Sequence, residues 1–332
     1  MKKIRTLIER SWLSRGVVST LLLPLCGLYR LVMLLRQRYY EHFPYFRFTA
    51  PVPVIVVGNL TVGGTGKTPL VLWLTAQLQA RGFRPAIIMR GYGGNSPHWP
   101  RQVTPKSTPT LVGDEAIMAY QRTHVPVAVG PDRKQDIERL LAKTDCNIII
   151  SDDGLQHLAL KATVEVGVVD GQRRFGNGRC LPAGPLREPV TRWPTLDFRV
   201  CHGAKGRADE VSMTLQPAGI YRVVDNTPSF DWEQLSGMIV HAVAGIGHPQ
   251  RFFSQLSVHG VILYPHIFRD HHRYTAKDIE FNDEYPVIMT EKDAVKCCVF
   301  AADNVYYLRV SAVLDESLVD RIVEKTHFIP AD

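Results

Sequence analysis

One segment constrains this chain more than any other: V-P-V-I-V-V-G-N-L-T-V-G-G-T-G-K-T-P, from Val52 to Pro69. A β-branched run reads as a buried strand, glycine-rich chain follows directly, and Pro69 opens a helical pattern to Gln79. A glycine loop between strand and helix lets backbone N–H groups and the helix N-terminus wrap a polyphosphate. Lys67 then reaches the β and γ phosphates, and the Thr68 hydroxyl ligates magnesium. Thr61, Val62, Gly63, Gly64, Thr65, Gly66, Lys67 and Thr68 are therefore the candidate ATP loop. The strict pattern G-x-x-x-x-G-K-[ST] wants glycine where Thr61 stands. Val62 occupies the place of the extra lysine of dimeric partitioning ATPases, which argues against a lysine donated across a dimer.

A phosphate loop of this kind needs a second strand ending in a carboxylate that holds the magnesium shell. N-I-I-I-S-D-D-G supplies one, ending in Asp152 and Asp153. Two adjacent carboxylates at a strand end raise each other's pKa and are costly without a cation. The bland alternative is a turn-forming Asp-Gly.

From Pro51 onward, apolar runs alternate with helical stretches. Strands are expected at 52–57, 86–89, 125–129, 147–151 and 164–169, with a helix from 131 to about 143 and a long Ser/Thr/Pro-rich loop at 94–112. This pattern predicts a P-loop NTPase-like α/β fold, a mostly parallel sheet with helices on both faces. The alternation lapses near 202–230, where Val211 to Leu215 and Ile220 to Val224, separated by Q-P-A-G, read as a β-hairpin linker. It resumes with strands at 239–244, 261–264 and 287–289 and helices at 249–258, from Thr275 and at 316–324. At roughly 150 residues per domain, 332 residues suggest about two domains. The expected organisation is an N-terminal membrane-associated helical segment (1–45), a P-loop core (46–205), a two-stranded linker (206–228) and a smaller α/β domain (229–332).

Charge singles out the N-terminal segment. Lys2, Lys3, Arg5, Arg10, Arg15, Arg30, Arg36 and Arg38 face only Glu9 and Glu41 there, so nearly all of the net charge of +7 sits in 1–45. A nucleic-acid binder spreads its basic surface over a folded domain, so no nucleic-acid partner is expected. Residues 17–35 are apolar, but Arg30 and Pro24 interrupt a spanning helix. A helix from Pro24 puts Leu25, Leu28, Val32 and Leu35 on one face and Arg30 and Gln37 opposite, an interfacial pattern. Neither a signal-peptide cleavage site nor a C-x-x-C pair is present. A helix packed on the protein's own core is the competing reading.

With the phosphate motifs placed, further strings occur together and in order: R-G-Y-G-G (Arg90 to Gly94), G-D-E (Gly113 to Glu115), D-D-G-L-Q-H (Asp152 to His157), F-G-N-G (Phe175 to Gly178), L-P-A-G-P-L-R-E (Leu181 to Glu188), A-G-I-G-H-P (Ala244 to Pro249), D-H-H (Asp270 to His272) and T-E-K-D-A-V-K (Thr290 to Lys296). From about residue 10 to 325 the chain resembles the tetraacyldisaccharide 4'-kinases, the lipid A 4'-kinases of Gram-negative bacteria, whose loop is itself atypical at the position of Thr61. The resemblance implies ATP and Mg2+ as cofactors. It implies transfer of the γ-phosphate to the 4'-hydroxyl of a lipid-linked, acylated glucosamine disaccharide 1-phosphate, giving lipid IV(A). It also implies peripheral or monotopic attachment at the cytoplasmic face of the bacterial inner membrane; no obligate protein partner is expected.

The same resemblance implies Asp114 as catalytic base and His271 as the partner that orients or tunes it. Because His271 lies in the second segment, its use would require the two domains to close on the substrate. Glu115 joins Thr68 and Asp152 as a magnesium ligand, while Asp153, His157 and Arg133 match positions near the catalytic centre. Arg187, Glu188 and Tyr92 match positions toward the substrate. Read without the resemblance, Asp114 is a helix N-cap, His157 a structural histidine, the arginines surface ion-pair partners, and T-E-K-D a strand end and helix cap with no chemistry. Two other classes stay open on the residues alone: a P-loop ATPase or ligase acting on a soluble metabolite, and a nucleotide-regulated membrane-surface adaptor that needs no base.

Overall fold

A computed structural model describes residues 11–328; Lys2, Lys3, Arg5, Glu9 and Arg10 lie outside the described residues. Twelve strands are described: β1 (Val54–Gly58), β2 (Pro85–Met89), β3 (Arg101–Gln102), β4 (Val127–Val129), β5 (Ile148–Asp152), β6 (Val164–Asp170), β7 (Phe198–His202), β8 (Val211–Arg222), β9 (Ile239–Ala244), β10 (Ile262–Ile267), β11 (Val287–Thr290) and β12 (Val305–Val313). The chain folds as two compact units. The first holds the described residues up to Arg90, Asp132–Thr214 and those from Val313 on; the second holds Gly91–Pro131 and Leu215–Ala312.

In the first unit the strand order is β8-β7-β6-β1-β5-β2, and each of these pairings is parallel. All five residues of β1 and of β5 are buried, so side chains pointing either way from the sheet are covered, as a parallel sheet sheathed by helices requires. The helices Lys67–Ala80, Arg133–Lys143 and Ser317–Thr326 provide cover. This order places β1 between β5 and β6, so the phosphate loop after β1 and the carboxylates closing β5 emerge at the same sheet end.

The second unit has its own sheet, ordered β10-β9-β11-β12-β8, with parallel pairs from β10 through β12. Alternation along the strands splits its core in two. Ile288, Tyr306 and Leu308 pack with Phe252, Phe253 and Leu256, whereas Val287, Met289, Val305 and Tyr307 pack with Tyr274, Ala294 and Cys297. From Gly91–Pro131 the unit also gains the helix Asp114–Thr123, packed on the helix Glu291–Cys297. Arg122 on one meets Glu291 on the other at 2.8 Å.

Two local expectations need correction. Q-P-A-G does not turn the chain: Val211–Arg222 is one continuous strand. Gly219 alone in that stretch has positive φ, and a two-residue type I′ reversal needs two such residues. The chain reverses later, where Arg222 and Thr227 are hydrogen-bonded across Asp225 and Asn226. The helix expected from Thr275 is a single 3-10 turn, Ala276–Asp278, satisfied locally by a Thr275–Asp278 capping box.

The helix Leu23–His42 turns Cys26 inward, and the Tyr29 hydroxyl donates to the Arg187 carbonyl at 2.7 Å. Leu25, Leu28, Val32 and Leu35, the expected common face, are all more than half exposed. No helix among the described residues is long and apolar enough to cross a membrane. The segment before this helix is gripped by F-G-N-G: the Asn177 amide lies within 3.2 Å of the carbonyls of Ser11, Ser14 and Ala183 and of Ser19 Oγ. Asn177→Ala strands these buried acceptors at about 1–3 kcal/mol. Limited proteolysis should show faster cleavage within residues 11–22, and an unchanged cleavage rate would refute the grip.

Candidate active site

The phosphate loop is built by backbone geometry. Gly63 and Gly66 take φ of +96° and +92°, a region closed to other residues without strain. A Cβ on Gly66 would also sit 2.9 Å from His202 Nδ1 and 3.0 Å from Met213 Cε. Thr61 does not have positive φ and is held in an isolated bridge to Leu186, so nothing in the backbone demands the glycine that the strict pattern asks for there. Arg173 donates to the Gly64 carbonyl at 2.6 Å, and His202 Nδ1 lies 3.1 Å from the Thr65 carbonyl, bracing the loop from behind.

The helix Lys67–Ala80 starts at Gly66 with no side-chain cap, so its first-turn N–H groups have no capping side chain. Thr65 Oγ1 is buried without a hydrogen-bond partner. Both features fit a polyanion laid against the loop. Lys67 Nζ stands 3.2 Å from Asn59 Oδ1 and 3.5 Å from Asp153. Thr68 Oγ1 donates to Asp152 Oδ2 at 3.1 Å. The Thr68 hydroxyl and the Asp152 carboxylate make a hard oxygen pair suited to Mg2+, which takes its remaining ligands from phosphates and water.

Behind the carboxylates lies a brace. Arg133, 2% exposed, donates to the Asp152 carbonyl at 3.1 Å and pairs with Asp136 at 3.4 Å, so it supports the end of β5. Arg187 Nη1 meets both Asp153 oxygens at 2.9 and 3.0 Å. Burial pushes the Asp153 carboxyl up, but the combined attraction of Lys67 and Arg187 wins and holds it below the ordinary range. Gln156 donates to the Asn59 carbonyl and to Glu188 Oε1, tying the D-D-G-L-Q-H string to the loop. His157 is lowered to about 4 by burial and then by the nearby cations Arg133, Arg36 and Arg90, so at neutral pH its imidazole is uncharged.

In the second unit, R-G-Y-G-G and G-D-E are locked together. A Cβ on Gly113 would come within 2.5 Å of the Tyr92 carbonyl, and one on Gly94 within 2.8 Å of the Leu111 carbonyl. The helix N-cap is Gly113, so Asp114, expected at the cap when read alone, is instead the first helical residue. Its Oδ1 accepts from the Glu115 N–H at 3.0 Å. Its Oδ2 faces His271 Nδ1 at 3.2 Å and Lys296 Nζ at 3.6 Å. The pairing with His271 forms within one unit, because Gly91–Pro131 clusters with Leu215–Ala312. The exposed Tyr92 ring lies 5.0 Å from the His271 ring.

Burial raises the Asp114 pKa, yet the His271 hydrogen bond, Lys292 and Lys296 outweigh it and hold the carboxyl ionised. A buried carboxylate paired with an imidazole can accept a proton from a hydroxyl. Glu115 is engaged by Lys292 at 3.0 Å.

Sequence reading missed Asn59 and Gln156 beside the loop and Lys292 and Lys296 beside Asp114. The lysines did leave a signal: they stand four apart in T-E-K-D-A-V-K and so share one helix face.

The family model described as tetraacyldisaccharide-1-P 4'-kinase matches residues 18–327. A tetraacyldisaccharide 4'-kinase of Nitrosococcus oceani is 47% identical over 317 residues, covering 96% of this chain and 93% of that protein. One of Methylobacillus flagellatus is 45% identical, covering 96% and 95%. The structure of LpxK from Aquifex aeolicus in complex with ATP superposes with a TM-score of 0.80 at 27% identity, covering 93% of this chain and all of that one. With two phosphate motifs, a paired acidic site and a match over nearly its whole length, this chain belongs to the tetraacyldisaccharide 4'-kinase family.

Proposed function

We propose that this protein transfers the γ-phosphate of ATP to the 4'-hydroxyl of tetraacyldisaccharide 1-phosphate, forming lipid IV(A). The observation that carries this reading is the Asp114–His271 contact. A phosphate loop by itself suffices for an ATPase, whereas a buried, ionised carboxylate beside an imidazole supplies the base that an acceptor hydroxyl needs.

The first unit provides the phosphate grip. Backbone N–H groups of the loop and helix hold the β and γ phosphates, and Lys67 neutralises charge on the transferring group. Thr68 and Asp152 would hold Mg2+, whose positive charge would offset that of the transferring phosphate. Arg187 keeps Asp153 ionised and oriented. The second unit provides Asp114, which takes the hydroxyl proton as the new O–P bond forms, while His271 orients the carboxylate. Tyr92 meets the sugar, a role supported by its exposure and its ring contact with His271.

The acceptor dictates where the enzyme works. Four acyl chains leave a bilayer at a cost of about 0.8 kcal/mol per methylene, so the enzyme goes to the lipid. The helix Leu23–His42 supports this, with exposed leucines flanked by Arg30, Arg36 and Arg38 suited to anionic headgroups. We assign it to the cytoplasmic face of the inner membrane, lying on the bilayer.

Incubation with radiolabelled ATP and the lipid acceptor in detergent micelles tests the function: labelled lipid supports it, and release of free phosphate alone identifies an ATPase. Lys67→Ala should abolish labelling in a folded protein; near-normal turnover at saturating ATP would refute the loop assignment. Asp114→Ala should lower turnover by about 10² to 10⁴ with little change in apparent ATP affinity. Weakened ATP binding with preserved turnover would move that carboxylate to the metal. Replacing Leu25, Leu28, Val32 and Leu35 together by serine keeps the grip on Asn177 but removes the apolar face. Recovery on anionic vesicles should then drop several-fold while ATP binding persists, and equal recovery would refute the membrane assignment.

A further inference from the structure

T-E-K-D-A-V-K reaches Asp114 through its lysines, and A-G-I-G-H-P in turn touches T-E-K-D-A-V-K at Asp293. Asp293 is fully buried at the start of the helix Glu291–Cys297. Its Oδ2 accepts from the Gly245 N–H at 2.8 Å and from Thr290 Oγ1 at 2.7 Å. Its Oδ1 accepts from Lys296 Nζ at 2.9 Å. A Cβ on Gly245 would stand 2.6 Å from the Tyr274 hydroxyl and 3.1 Å from Asp293 Oδ1, so the glycine lets the carboxylate pack this closely.

Lys296 is thereby fixed. Its side chain is 10% exposed, its ammonium lies 5.5 Å from the Tyr274 ring centroid, and one of its three donors is taken by Asp293. The same ammonium stands 3.6 Å from Asp114 Oδ2, the oxygen that also faces His271. Lys292 also acts on the Asp114 charge, but its close contacts are Glu115 at 3.0 Å and Asp270 at 3.9 Å. The helix cap is Thr290, which needs only the Asp293 N–H, so the placing of Lys296 between two buried carboxylates calls for a further reason.

We propose that Lys296, anchored by Asp293, is a positioning residue that pins the Asp114 carboxylate in the orientation from which it accepts the acceptor proton. This rests on Asp114 being the base. With Oδ1 held by the Glu115 N–H and Oδ2 held between Lys296 and His271, the carboxylate cannot rotate away. Small losses of alignment in a reacting group cost rate far more than they cost binding. Gly245, Asp293 and Lys296 thus form a support running from A-G-I-G-H-P through T-E-K-D-A-V-K to G-D-E.

The test uses the full chain, radiolabelled ATP and tetraacyldisaccharide 1-phosphate in micelles, with turnover expressed per folded ATP-binding site. Lys296→Met should lower kcat by about 10- to 100-fold and leave KM for ATP within about threefold, whereas Lys296→Arg should recover most of the loss. In an Asp114→Ala background, Lys296→Met should cost less than about twofold, because its partner is already gone. Three results would overturn the inference: an equal loss in both backgrounds, a loss in KM alone, or Lys296→Arg no better than Lys296→Met. Should Lys296→Met fail to fold, Asp293→Asn decides the matter, since it keeps the lysine and frees it; unchanged kcat in that folded variant would overturn the inference too. Full turnover of Asp114→Ala by itself would instead refute the base assignment, a separate failure.

Discussion

A helix that begins at Lys67 without a side-chain cap is the constraint on which the first unit depends. Its leading N–H groups and Lys67 concentrate positive charge where β1 ends, and such a site is stable only if negative charge is brought to it. The protein supplies part of that charge itself: Asp152 and Asp153 close β5, the strand directly beside β1. Thr68 and Lys67 then bind those carboxylates at 3.1 and 3.5 Å. Parallel register aligns Val57 with Asp152, so loop and carboxylates meet as a consequence of sheet order.

The second unit answers a related problem differently. Asp114 is buried and acidic, and side chains of its own unit balance its charge: His271 at 3.2 Å and Lys296 at 3.6 Å. Ion pairs with this much desolvation add little stability on their own and are best understood through what they hold in place. Their members come from three separate strings, D-H-H and T-E-K-D-A-V-K giving the cations and G-D-E the carboxylate, assembled only by the tertiary fold. His271 itself takes φ of +57°, an uncommon conformation for a non-glycine residue that the surrounding structure must enforce.

These differences explain what could be read from sequence. The loop, β5 and the strands at 239–244 and 287–290 were legible because hydrophobic runs and local punctuation decide them. β12 was passed over because V-Y-Y-L-R-V-S-A-V mixes polar with apolar residues, and only its neighbours in the sheet make it a strand. Q-P-A-G was misread as a turn because proline and glycine also occur within strands where a ladder bond is not needed. Lys296 stayed hidden for another reason: a lysine on a short helix is ordinarily a solvated side chain, and its burial against Asp114 joins residues 182 positions apart.

Arg187 shows how one residue can serve two tasks. Its backbone carbonyl receives the Tyr29 hydroxyl from the apolar N-terminal helix, and its guanidinium holds both oxygens of Asp153. The preceding string, L-P-A-G-P-L, supplies the Pro182 carbonyl to Trp12 and the Ala183 carbonyl to Ser19. Leucines exposed together on one helix mark an interaction surface. Because the loop that grips the N-terminal segment continues directly into the residue that orients a phosphate-site carboxylate, the exposed leucine face and the phosphate site share one contiguous support.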